Sequence, residues 1–447
     1  MRWTGAPLGR WQRTVVAALG AASLLLNLGA AAHQARTDDR NYGAMHAGAA
    51  VALDRGYPYD QQAIGRRERA DESLPRDSLV APYVYPPTFT VVQAPFGALP
   101  FRTALRGWTV LMVLAVLGSA MLAAALALGW PLRDRVGLLV IAAFGMDFAP
   151  LRSALPGQVD PLLCLAGLAG LLMTLRGRER LGGAILSLLL LKPQVGALPI
   201  LALVMAGRPQ VVFGIGIGLG AQIAAVAIAD ISGLHLGTLA WIHIGAVHYD
   251  RSLVVVTTSL AGLLATAVII GWGRTISMKT VRSDPMRLMA IAAVLTAVAG
   301  PLIYLNLQSA VLLILPLALV AVRTWKEVRQ GISRPIHLMM LGCAGGALLG
   351  DSLFAVTYYV GYSHALGPIA TVATLLIAIA VYIPELRPAC LAAGLVNVAV
   401  TLPKLPVDFH NLVLVGAAVI LLAMLLEPEH IAQCEVTRPS GSLRATT

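Results

Sequence analysis

Apolar runs recur along almost the whole chain, each close to the roughly 17–25 residues that a helix needs to cross the hydrocarbon of a bilayer, or somewhat shorter. They fall near 14–33, 104–129, 136–151, 157–175, 181–191, 194–206, 210–229, 253–271, 287–302, 306–322, 336–356, 366–383, 387–403 and 410–426. No other feature restricts the fold so severely. Inside hydrocarbon every backbone N–H and C=O needs a partner, which leaves only continuous helices or closed barrels. Barrel strands alternate apolar and polar residues, and these runs do not. The sequence therefore predicts an all-α, polytopic integral membrane protein with about 11–14 transmembrane helices, the range being set by the runs too short to cross unaided. Composition agrees. Of the 447 residues 57% are hydrophobic and 12% charged, against ~25% charged in soluble domains, and the mean hydropathy is +0.77.

The net charge of +11 invites a nucleic-acid partner, and the placement of the charges excludes one. Lys and Arg fall in tufts between runs: Arg2, Arg10 and Arg13; Arg133 and Arg135; Arg176, Arg178 and Arg180; Arg274, Lys279 and Arg282; Arg323, Lys326, Arg329 and Arg334. With a cytoplasmic N-terminus and alternating spans, every tuft lands in the cytoplasm, as the positive-inside rule requires. The basic balance encodes topology. A cleaved signal peptide ending near LGAAAHQA is the competing reading of the N-terminus; either way residues 34–86 lie outside the cytoplasm. None of the four cysteines falls in that loop, so no disulfide is expected there. CxxC, HExxH and GxxxxGK[ST] are all absent, which leaves metal-protease and P-loop readings unsupported.

The polar residues then divide the chain. Residues 1–430 read as a single transmembrane domain, with a large first outer loop at 34–86, a second at 234–251, and a disordered cytoplasmic tail at 431–447. In the first loop, Asn41 to Leu53 has helical small-residue spacing, stopped by Gly56 and Pro58. RRERADESLPRDS reads as a solvated, mobile excursion. Four prolines between Tyr83 and Phe101 argue against a straight span and for a surface-lying or re-entrant element. No internal repeat is visible, which weakens an inverted-repeat transporter.

The chemistry-bearing residues concentrate on the outer side. TDDRNYGAMHAGAAVALDRGYPYD (37–60) places the paired carboxylates of Asp38 and Asp39 directly after the first span. Arg152 and Lys192 fall at the outer ends of their spans, and ionisable residues at membrane depth are expensive enough to suggest function. A carboxylate beside two cations at a lipid–water boundary suits one reaction well: the base activates a hydroxyl while Arg and Lys hold the phosphate of a lipid-linked leaving group. Gln158 joins the cations as a donor phosphate-binding residue, and Tyr42, Tyr85, His248 and Asp160 are the candidates for substrate binding. Most have a blander alternative. Asp38 and Asp39 suit a solvated loop, Gln158 a neighbouring helix, and Asp160 a helix cap. Tyr83, Tyr85 and Trp108 suit an interfacial belt; His243 and His248 suit a wetted loop; Lys192-Pro193 suits a kink with a snorkelling lysine.

The order of motifs resembles glycosyltransferase family 87. The shared pattern comprises Asp38, Tyr42, Ala47, Gly56, Pro58, Tyr59 and Asp60; then Tyr85-Pro86-Pro87, Pro95 to Pro100, Ala104 and Trp108; then Gly157 to Pro161, RGRERLGG, and Lys192-Pro193-Gln194. A weaker echo lies at Ala299 to Pro316, and the likeness covers roughly 14–320. Singly these motifs are weak, whereas their order and spacing are moderately specific. The resemblance implies a multi-spanning GT-C fold and an enzyme like the polyprenyl-phosphate-mannose-dependent mannosyltransferases of actinobacterial glycolipids. It implies Asp38 as catalytic base. Asp39 departs from the pattern, standing where an apolar residue usually follows, so either aspartate can be the base. Asn306 and Gln308 stand where an Asp or His is expected beside Tyr304.

Together these readings predict a hexosyltransferase, mannose favoured, of the bacterial inner membrane with its site on the periplasmic side. A polyprenyl-phosphate sugar is the expected donor and a cell-envelope glycan or glycolipid the expected acceptor. One base and one inverting displacement suffice, so no metal and no cofactor is expected. The rival from another class is a transporter or flippase of lipid-linked sugars.

Overall fold

The computed structural model describes residues 9–34, 40–70, 83, 85–128, 158–205, 207–236, 284–304, 311–331, 335–360, 362–401 and 407–426. Among these residues the fold is all-helical, with no strand. The first helices are α1 (Arg10–Gln34), α2 (Arg40–Leu53), α3 (Gln61–Ala70), α4 (Pro87–Gly97) and α5 (Phe101–Leu128). Then follow α6 (Asp160–Leu175), α7 (Glu179–Leu186), α8 (Pro193–Met205) and α9 (Pro209–Ile231). The C-terminal part holds α10 (Pro285–Tyr304), α11 (Ile314–Arg329), α12 (Pro335–Val360), α13 (Tyr362–Tyr382), α14 (Arg387–Thr401) and α15 (Val407–Leu426).

Two of these, α5 and α9, are long and apolar enough to cross a membrane by themselves, with mean hydropathies of 2.5 and 2.2. The runs at 136–151 and 253–271 lie outside the described residues, as do the tufts at 133–135 and 274–282 and the tail. Three local expectations are corrected. RRERA, read as the start of a mobile excursion, forms the second half of α3, because Ile64 and Gly65 bury one face of that helix. The run at 181–191 is not one helix: α7 ends at Leu186 and a 3-10 turn continues through Ser187–Leu191. The basic residues Arg323, Lys326 and Arg329 sit on the last turns of α11 rather than in a loop, where cations complement the negative end of the helix dipole.

The proline-rich stretch resolves into α4 and the start of α5. Pro87 occupies the first turn of α4, where its missing N–H costs nothing; Pro95 lies near the other end, and the helix stops two residues later. The chain restarts at once, with Thr103 and Ala104 N–H both donating to Pro100 O. α4 packs across α2 at backbone contact. A Cβ at Gly97 would stand 2.8 Å from the backbone and side chain of Ala49 and from Ala50 N. Gly97→Ala should therefore push α2 from α4 and destabilise the protein by about 1–3 kcal/mol, the usual cost of overpacking. Thermal unfolding in detergent checks this, and an unchanged midpoint would refute the close approach.

The arrangement has two chemically distinct ends. α6 closes on Gly177 in the left-handed region (φ 78), with Gly177 N–H bound to Thr174 O and Arg178 N–H to Met173 O, a Schellman stop. The chain reverses there, and α7 returns along α6. Beside that turn Arg208 Nη1 donates to Glu179 Oε1 at 2.6 Å and Arg180 Nε to Gln210 Oε1 at 2.7 Å. α9 leaves this basic end, its backbone touching α7 at Gly183 and Gly214, where small residues permit such contact. Its 23 residues carry it ~35 Å at 1.5 Å per residue. At its far end His235 N–H donates to Ala52 O at 3.2 Å. The Arg176–Arg180 tuft and the segment 52–57 are thus separated by the full length of α9. A further charged cluster ties four helix ends: Arg323 Nε contacts Glu327 Oε1 and His337 Nδ1 contacts Glu327 Oε2, while Arg287 and Arg323 donate to Leu425 O and Met424 O on the last turn of α15.

Candidate functional site

The site is built at the end of the molecule opposite the Arg176–Arg180 tuft, where α6 begins. Asp160 is the first residue of α6 and Pro161 the second; a carboxylate in the first turn complements the helix dipole. The hairpin of α6, α7 and the 3-10 turn returns the chain to the same end, and Pro193 decides what happens there. A residue before proline is pushed out of the helical region, and Lys192 accordingly adopts φ −138, ψ 84. Its side chain meets Asp160: Lys192 Nζ donates to Asp160 Oδ2 at 2.7 Å, with the Asp160 side chain 0% and the Lys192 side chain 14% exposed. An ammonium has three N–H donors, so this bond leaves two for another acceptor.

Two residues before Asp160, buried Gln158 accepts a hydrogen bond from Tyr85 Oη through its Oε1 at 3.1 Å. Tyr85 is fixed in turn. Its ring stacks on Phe89 at 4.4 Å and its carbonyl accepts from Tyr59 Oη at 2.9 Å. Thus segments from the first loop (Tyr59), the proline-rich stretch (Tyr85), the start of α6 and the end of the hairpin converge on one place.

An aromatic layer supports it. Tyr59, Tyr83, Tyr85 and Phe89 follow one another at 5.6, 5.7 and 4.4 Å between ring centroids. Trp108 of α5 packs against Phe89, Phe96 and Tyr42, and His46 Nε2 meets Leu99 O at 2.9 Å. Tyr83 Oη and Thr90 Oγ1 share a bond of 2.8 Å. Burial raises the pKa of Tyr42, Tyr59 and Tyr83 well above the ordinary phenol value, with the neighbouring Tyr83 adding to the rise at Tyr59. These tyrosines stay protonated: Tyr59 donates to Tyr85 O, Tyr83 shares its bond with Thr90, and Tyr42 serves as packing surface.

Of the residues singled out in the sequence, the structure brings Tyr85, Gln158, Asp160 and Lys192 together. Tyr42 lies at 0% exposure inside the aromatic layer, stacked on Trp108. Asp38, Asp39, Arg152 and His248 lie outside the described residues. The helix-cap alternative for Asp160 is corrected: Val159 is the N-cap residue and makes no side-chain cap bond, while Asp160 is helical and bonds Lys192. The ion pair was not anticipated, although a signal for it existed. The tuft at 176–178 lies roughly midway between Asp160 and Lys192, so a hairpin turning there must bring them level. In the sequence Tyr59 stands out only as part of the Gly56-to-Asp60 turn motif, and nothing in that local pattern shows that its hydroxyl fixes Tyr85. No group of three or more His, Cys, Asp or Glu side chains fit to hold a metal occurs among the described residues.

Residues 83–246 match the family model of glycosyltransferase family 87. The matched stretch contains Tyr83, Tyr85, Gln158, Asp160 and Lys192. No curated protein and no solved structure matches the chain.

Proposed function

We propose that this chain is a family 87 glycosyltransferase, a multi-spanning membrane enzyme of the GT-C type that takes a hexose or pentose, mannose favoured, from a polyprenyl-phosphate donor. The acceptor is a glycan or glycolipid of the cell envelope, and transfer is a single inverting displacement. The observation that carries this reading is the convergence of Lys192, Asp160, Gln158 and Tyr85 within the stretch matching a glycosyltransferase family.

In this mechanism Asp38, or its neighbour Asp39, takes the proton of the acceptor hydroxyl as that oxygen attacks the anomeric carbon. The bond to the phosphate oxygen breaks, and its negative charge is met by the two remaining Lys192 donors and by Arg152. Asp160 holds the ammonium toward the reacting end. Tyr85 fixes the Gln158 amide through its oxygen, leaving the NH₂ to donate to a phosphate or sugar oxygen.

Membrane placement is supported by what the helices leave exposed. α9 presents Val212, Phe213, Ile217, Ile223 and Ile228, and α14 presents Leu391, Leu395 and Val398, apolar surface suited to lipid rather than water. The basic tuft at 176–180 supports a cytoplasmic location for that end, and with it the reading of Lys192 and Asp160 as periplasmic residues of a bacterial inner-membrane protein. A transporter would set its charges near the bilayer midplane on broken helices. Here Lys192–Asp160 and Arg208–Glu179 stand at opposite ends of the α6–α7 hairpin.

One assay decides the matter: purified full-length protein in lipid, incubated with radiolabelled polyprenyl-phosphate sugars and membrane glycans. Transfer of label to a glycan, strongest from the mannosyl donor, is expected. Label moving across a sealed vesicle without any glycosidic product would favour the flippase instead.

A further inference from the structure

A second polar site lies at the same end of the molecule, between the end of α2 and the end of α9. α2 stops in a Schellman motif, with Gly56 N–H bound to Val51 O at 2.8 Å and Arg55 N–H to Ala52 O at 3.2 Å. The left-handed position of such a stop normally takes glycine. Here it is Arg55, at φ 58, with the glycine one residue later at 56. A large side chain kept in a backbone region that disfavours it points to use of that side chain. The Arg55 guanidinium lies over Gly233, which is also left-handed at φ 96.

Arg55 opens onto a shallow, solvent-open cavity of about 380 Å³ lined also by Asp230, Ile231, Ser232, Gly233 and His235. Arg55 and Asp230 face the same cavity, and among the described residues neither side chain makes an ion pair or hydrogen bond. Tyr57, 41% exposed, stands edge-on to His235 at 6.4 Å. The loop carrying Arg55 and Tyr57 is held to α3 by Arg67–Asp54 at 3.5 Å and Arg66–Asp60 at 4.0 Å.

The geometry points to a saccharide-binding subsite in this cavity, with Arg55 and Asp230 as its principal lining contacts and Tyr57, edge-on to His235, standing at its rim. Arg supplies donors only, Asp acceptors only, and Ser232 and His235 both. That mixture matches vicinal hydroxyls, each of which donates and accepts. Tyr57 adds an exposed ring for the apolar C–H face of a sugar. An anion suits the place poorly, because Asp230 and the last carbonyls of α9 are both negative. Tyr57, Tyr59, Tyr83 and Tyr85 form an unbroken row of ring contacts leading to Gln158, so the subsite and the Lys192 cluster share one support. The assignment of this saccharide as part of the glycosyl acceptor rests on the transferase reading, whereas its binding here does not.

The test is therefore a binding measurement without turnover. Full-length protein in nanodiscs is probed by saturation-transfer NMR with neutral methyl glycosides of mannose, glucose, galactose and arabinose, with inorganic phosphate as competitor. At least one glycoside should bind, and Tyr57→Ala and Asp230→Asn should each weaken it about tenfold or more, while Tyr57→Phe retains it. Tryptophan emission and thermal midpoint establish that each variant is folded. Binding that survives Tyr57→Ala and Asp230→Asn overturns the subsite, even if the protein proves to be a transferase. Failure of every glycoside to bind, or displacement by phosphate, overturns it as well. Binding that responds as expected in a protein with no transfer activity upholds the subsite and removes the transferase reading instead.

Discussion

Lys192→Ala should destabilise the protein and suppress transfer together, and the two effects should come apart in a double variant. Asp160 is wholly buried and the Lys192 side chain is 14% exposed. Removing the lysine leaves a buried carboxylate without its charge partner, for which about 3–5 kcal/mol is typical. Replacing both members by apolar groups of similar volume, as in Asp160→Leu with Lys192→Met, is often neutral or even stabilising. The double variant should thus regain most of the thermal stability lost by Lys192→Ala, read as the unfolding midpoint in detergent. It should not regain transfer, because no ammonium then meets the leaving phosphate. Recovery of both would reduce the pair to a structural strut. A Lys192→Ala protein as stable as wild type would show that the buried charge finds another partner, and would shift the weight of donor binding to Arg152.

That pair also shows what could and could not be read from the sequence. Several helices were legible from apolar residues running without alternation, and α5, α9, α12 and α15 begin and end within a few residues of the predicted runs. Lys192 was legible as special because a lysine between an apolar run and a proline has few bland explanations. Its partner was not, since nothing in the local pattern of LLLLKPQVG says which distant residue lies opposite. Partner choice is set by the hairpin that closes on Gly177. Arg55 was missed for a related reason. In ALDRGYPY the glycine at 56 looks like the helix stop, and only the backbone shows the left-handed position one residue earlier, at Arg55. The mobile reading of RRERA failed because charge density hides burial: Ile64 and Glu68 lie on the inward face of α3, a spacing of four that a charge count does not register.

The largest effect on chemistry is expected from the carboxylate pair that follows the first helix. Asp38→Asn preserves side-chain volume and much of the hydrogen-bonding shape but removes the basic lone pair. Loss of a positioned general base typically costs about 10²–10⁴-fold, and transfer should fall by that amount while donor binding persists, since the donor phosphate is met by Lys192 and Arg152. Asp39→Asn separates the two candidates and should be the milder change. Should Asp39→Asn be dead and Asp38→Asn active, the base is Asp39 and the displacement stands. The pH profile adds a readout that folding does not imitate: kcat/KM in wild type should fall on the acid side as the base is protonated, and that limb should vanish from the residual activity of the Asn variant. Lys192→Arg, which keeps a cation beside Asp160, should retain the acid limb while raising KM for the donor, because it alters phosphate contacts and not the proton acceptor. Full transfer by the Asp38→Asn, Asp39→Asn double variant would remove base catalysis by this loop, and the search for the proton acceptor would then move to the described carboxylates of the same end, beginning with Asp160.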